Sequence, residues 1–79
     1  MREHFYHVVL TDKKIGREIL NVDFGKSRVE ALALFYDLSF VVKKTRAKLV
    51  LYEDKGTSNE KEYLVMQQGG IKYNNQKNR

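Results

Sequence analysis

The sequence predicts an α+β fold of order strand–strand–helix–strand–strand. Three observations predict it. Residues 3–24 and residues 46–67 each hold two alternating apolar–polar runs joined by a polar, glycine-containing connection. Between them, residues 27–44 run without Gly or Pro in a helical pattern. Seventy-nine residues make a single domain. The economical packing is two β-hairpins forming a four-stranded, mostly antiparallel sheet with the helix across one face.

Residues 3–10, EHFYHVVL, form the first strand, with His4, Tyr6, Val8 and Leu10 on one side and Phe5, His7 and Val9 on the other. Thr11 to Gly16 has the chemistry of a hairpin loop. Residues 17–24, REILNVDF, return as a second strand, placing Leu20, Val22 and Phe24 on one face and Ile19, Asn21 and Asp23 on the other. Ser27 followed by Glu30 is a capping box that starts the helix. Lys43 and Lys44 suit its C-terminal dipole. In residues 46–53, Ala47, Leu49 and Leu51 alternate with Lys48, Val50 and Tyr52. After the turn at 54–59, residues 60–67 form the fourth strand. The domain is expected to span 1–68, followed by a polar, basic, flexible tail over 69–79, where Ile71 and Tyr73 offer an extension of the fourth strand. This element order resembles that of β-grasp domains, and hairpins swapped between two subunits would use the same elements.

The helix carries more apolar surface than one sheet contact needs. Ala31, Leu34, Phe35, Leu38, Val41 and Val42 gather on one face at about 100° per residue, and Val29, Leu32, Ala33, Tyr36 and Phe40 gather opposite. A second apolar face asks for a cover. Val29, Leu32, Tyr36 and Phe40 are therefore the expected interface for a protein partner or for a second copy in a homodimer.

The formal charge is +5 and it is unevenly placed. Residues 1–40 hold six basic and six acidic side chains, whereas 41–79 hold nine basic and four acidic. Lys43, Lys44, Arg46 and Lys48 have no acid among them. Such a cluster suits contact with a nucleic-acid backbone. Tyr52, with Tyr63 on the neighbouring strand and Lys48 on its own face, adds an aromatic surface on which a base can stack.

Other candidates fail on their own chemistry. Gly25-Lys26-Ser27 lacks the glycine five positions earlier that a phosphate-binding loop requires, since Leu20 stands there inside a strand. His4 and His7 point to opposite faces of one strand, so a shared metal is not expected. Gly69-Gly70 resembles the terminal pair of ubiquitin-like modifiers, but nine residues follow it. The acids fall in turns or on outward strand positions. No nucleophile–base grouping and no cysteine is present, which excludes disulfides and thiolate sites. The expectation is a non-enzymatic cytoplasmic binding protein without a cofactor or membrane span. Nucleic acid is its first partner class, and a protein-binding modulator acting through the second helix face is the alternative.

Overall fold

The computed structural model describes residues 3–42, 45–67 and, for the backbone, 70–73. Its elements are β1 (Tyr6–Asp12), β2 (Arg17–Gly25), α1 (Arg28–Val42), β3 (Ala47–Glu53), β4 (Lys61–Gln67) and β5 (Gly70–Tyr73). They form one open antiparallel sheet of order β2-β1-β3-β4-β5 with α1 on one face. The expected strand–strand–helix–strand–strand order holds. A fifth strand, Gly70–Tyr73, follows β4 in the stretch that reads by composition as tail. Gly69 and residues 74–79 lie outside the described residues. The likeness to β-grasp domains is one of element order. The two hairpins join through β1 and β3, which meet antiparallel, and no neighbouring pair in this sheet is parallel.

Local chemistry sets the boundaries of α1. The backbone N–H of Glu30 donates to Ser27 Oγ at 3.3 Å, and Ala31 N–H donates to the Ser27 carbonyl at 3.2 Å, making Ser27 the N-cap. Gly25 turns the chain in with φ 59°, a left-handed value at which a side chain would be strained. At the far end, Thr45 gives the Val42 carbonyl both its backbone N–H (3.0 Å) and its hydroxyl (3.1 Å). A threonine thus closes a helix whose end carries no Gly or Pro.

The core lies between α1 and the centre of the sheet. Ala31, Phe35 and Val42 from the helix meet Tyr6 and Val8 of β1, Leu49 and Leu51 of β3, and Leu64 and Met66 of β4. Ser39 is also buried on this side, where its hydroxyl donates to the Tyr36 carbonyl at 2.7 Å. That bond satisfies the one polar group on the sheet-facing helix surface.

Three register shifts interrupt the strand pairing. In β2 the pairing skips Ile19 and Phe24, and in β4 it skips Tyr63. Each skipped residue is apolar or aromatic; the bulges add Ile19 and Tyr63 to the helix-bearing face, whereas Phe24 stays on the face that alternation gives it. Phe24 and Tyr63 pack against the core, and Ile19 lines a cleft with Val41 and Val42. Ile19 therefore does not share the face of Asn21 and Asp23 as strict alternation would have it.

The opposite sheet face bears no helix, yet Val9, Val50 and Val65 form a buried cross-strand row on it. Lys48 and Tyr52 flank Val50 on that face, and Glu62 pairs with Tyr52 across β3–β4. The Lys48 Nζ–Glu62 Oε2 pair, 3.8 Å apart, therefore spans Val50 and covers it with the lysine stem.

Candidate functional site

The outer surface of α1 carries several exposed apolar side chains. Helical spacing places Val29, Ala33, Tyr36 and Phe40 along one outward stripe. Val29 is 77 % exposed, Phe40 73 % and Tyr36 42 %. Leu32, expected in the same set, is half-buried and packs against the core instead. It sits at the edge of the sheet-facing arc, where a large side chain reaches the sheet. Tyr36 meets Phe35 edge-to-face with centroids 5.5 Å apart, which ties the stripe to the core. Glu30 and Asp37 border the stripe with negative charge. Val41, assigned by periodicity to the inner face, is 62 % exposed and stands on the other flank of the helix.

Of the expected nucleic-acid residues that are described, Lys48 and Tyr52 share the helix-free sheet face, whereas Arg46 lies towards its other end. Arg46 immediately precedes β3 and Tyr52 lies near its far end, on the order of 20 Å away at about 3.3 Å per residue. The cation of Lys48 is engaged by Glu62, and Lys43 and Lys44 lie outside the described residues. Tyr52 has a raised pKa, first through burial and then through the charges of Glu62, Glu60 and Glu18. Lys55 Nζ lies 5.3 Å above its ring. The carboxylates make the surroundings of Tyr52 unfavourable for a phosphate. Tyr63 cannot act beside it, because the β4 bulge turns Tyr63 to the core.

The fold gathers a different basic group. Lys13 N–H donates to the Arg46 carbonyl at 3.0 Å, so the β1–β2 loop with Lys13 and Lys14 abuts the start of β3. Sequence distance hides this neighbourhood. Only the β1–β3 pairing, Asp12 opposite Ala47, reveals it. Lys13 Nζ also donates to Gln67 Oε1 at 3.2 Å.

At the other end of the sheet, His4, Glu53 and Asp54 converge. His4 Nδ1 is 2.7 Å from Asp54 Oδ2 and 3.9 Å from Glu53 Oε1. Phe5 N–H donates to Asp54 Oδ1 at 3.0 Å, the Tyr6 hydroxyl to Glu53 Oε2 at 3.4 Å, and Lys61 Nζ lies 3.3 Å from Glu53 Oε1. Glu53 and Asp54 are buried, contrary to the outward placement expected of the acids. Glu53 continues the inward alternation of Ala47, Leu49 and Leu51, which is the signal that marks it. His4, Glu53 and Asp54 offer one nitrogen and two carboxylates within 4.8 Å of one another, a set of suitable type for a divalent cation. Their atoms already pair with His4, Phe5, Tyr6 and Lys61, so the arrangement acts as a tie between the start of β1 and the end of β3.

Among the described residues no helix is long and apolar enough to cross a membrane. Comparison with known proteins finds no matching family model, no similar curated protein and no similar solved structure.

Proposed function

We propose that this chain is a protein-binding module that docks through the outer face of α1. The observation that carries the reading is the stripe of Val29, Ala33, Tyr36 and Phe40, left uncovered although the helix already buries a complete inner face. An amphipathic helix laid into a partner's groove uses anchors at this spacing. Tyr and Phe at the centre of such a surface supply most of the attachment energy. Glu30 and Asp37 would form its polar rim.

The test compares the wild type with Val29→Asp and Phe40→Asp. Both variants should melt like the wild type, because the two side chains are exposed. Light scattering across a wide concentration range reads self-association, and affinity capture from the native host reads a foreign partner. The reading predicts one association that both variants abolish. Association unaltered by either variant would overturn it.

A second reading, polyanion binding, is favoured by the contact that brings Lys13 and Lys14 against Arg46. Backbone phosphates neutralised by these side chains would give an affinity that falls steeply with salt and depends little on sequence. Titration of single-stranded and duplex oligonucleotides at two salt concentrations tests it. Changing Lys13, Lys14 and Arg46 to Gln should flatten the salt slope by about one unit per lost contact. Equal binding by the triple variant would end this reading.

A further inference from the structure

A cleft of about 320 Å³ opens on the opposite flank of α1 from the docking stripe. Leu10, Val42 and Ala47 form its floor, Ile19 and Val41 its walls, and Asp12, Lys14, Thr45 and Arg46 its mouth. Ile19 and Val41 are 59 % and 62 % exposed, so both walls are wet. Ile19 reaches this face only through the β2 bulge, at a strand position that would otherwise turn it to the other side. The volume lies at the lower end of ligand sites, about 300–1,000 Å³. It suits one bulky apolar side chain better than an enclosed cofactor.

The mouth selects charge. Lys14 and Arg46 stand against a single acid, Asp12, whose Oδ1 already accepts the Lys14 backbone N–H at 2.8 Å. The last helical carbonyl there, that of Val42, is occupied by both donors of Thr45. Lys13 Nζ is turned away to Gln67 Oε1 and takes no part in the mouth. We infer that the cleft is a docking site for an acidic amphipathic segment of a partner protein, its apolar anchor between Ile19 and Val41 and its flanking carboxylates on Lys14 and Arg46. Residues 74–79 of this chain, NNQKNR, hold two bases and neither an acid nor an apolar side chain, so they match neither half of the site. The site goes beyond the stripe reading and does not depend on it.

The test is an NMR titration with a blocked peptide, Glu-Glu-Leu-Phe-Glu-Glu, and its counterpart with Lys for Glu. The acidic peptide should give saturable shifts at the amides of Leu10, Ile19, Val42 and Ala47 and bind about fivefold more tightly than the basic one. Arg46→Glu should remove that preference. Lys14→Glu, in the exposed hairpin loop, should act alike and serves where Arg46→Glu perturbs folding. Val29→Asp, which disrupts the docking stripe at the far end of α1, should leave this titration unchanged, so the two sites fail separately. No saturation at millimolar peptide, equal affinity for both peptides, or shifts confined to Val29, Tyr36 and Phe40 would each overturn the assignment. So would concentration-dependent self-association lost in Arg46→Glu, because a second copy would then be the occupant.

Discussion

His4 Nδ1 lies 2.7 Å from Asp54 Oδ2 across fifty positions of sequence and holds the segment before β1 against the loop after β3. Asp54 is buried with φ 59°, a left-handed value that Asp tolerates better than most residues, and its other oxygen accepts Phe5 N–H at 3.0 Å. Asp54→Ala leaves that N–H and the imidazole without an acceptor. It should lower the unfolding free energy by about 1–3 kcal/mol, read by urea denaturation. Asp54→Asn, which keeps an acceptor for Phe5, should lose less. Equal losses in the two variants would show that the acceptor for Phe5 contributes nothing and that the carboxylate facing His4 carries the tie.

Tyr6 gives the tie a pH limit. Burial raises its pKa above the ordinary value, the Glu53 charge adds to the effect, and Arg28 opposes it. The folded state therefore holds the phenol proton more tightly than the unfolded chain. That contribution is complete below about pH 10 and is lost as pH rises through the folded pKa. Wild-type stability should fall more steeply above about pH 10 than that of Tyr6→Phe. Parallel curves would show that ionisation of Tyr6 is not linked to unfolding.

Phe35 and Phe40 separate core from surface on one helix. Phe35 is fully buried among Val8, Leu49 and Leu51, whereas Phe40 is 73 % exposed. Phe35→Ala should cost about 3–5 kcal/mol. Phe40→Ala should fall within about 0.5 kcal/mol of the wild type in the same denaturation experiment. A comparable loss at Phe40 would mean that the outer stripe maintains the fold rather than awaiting a partner.

Gly25 takes φ 59° between β2 and α1, and an added Cβ would meet no neighbour within 4 Å. The cost of Gly25→Ala is thus conformational alone, about 1–2 kcal/mol. Gly25→Asn should cost less, since Asn enters this region more readily. Equal melting of both variants with the wild type would show that the turn relaxes at no cost.

Both hairpins, the helix and its start were legible because each rests on a local signal: period-two alternation, helical spacing or the Ser27–Glu30 cap. The second apolar helix face was legible for the same reason, apart from Leu32, whose reach to the sheet depends on where the helix axis lies. The bulges at Ile19, Phe24 and Tyr63 were not legible, because one extra residue leaves the alternation on either side intact. That omission put Tyr63 beside Tyr52 and hid one wall of the cleft. The basic group around Arg46 stayed hidden because β1–β3 pairing, not sequence proximity, joins it to Lys13 and Lys14. The coverage of Val50 by the Lys48–Glu62 pair likewise depends on strand order. Composition also made β5 read as tail, since a short edge strand needs only backbone partners.

His7 tests how far the helix-free sheet face behaves as a second core. Its Nδ1 is buried with no hydrogen-bond partner among the described residues, while Nε2 lies 3.8 Å from Asp23 Oδ2 and the backbone pairs with Tyr52. A buried polar atom without a partner costs about 1–3 kcal/mol of desolvation. His7→Leu removes that atom, keeps the side chain beside the Val9–Val50 row and forfeits only a long contact with an exposed carboxylate. The variant should match or exceed wild-type stability, by up to about 1 kcal/mol, in urea denaturation at neutral pH. A loss larger than about 1 kcal/mol would show that the imidazole makes an interaction on this face that outweighs its desolvation.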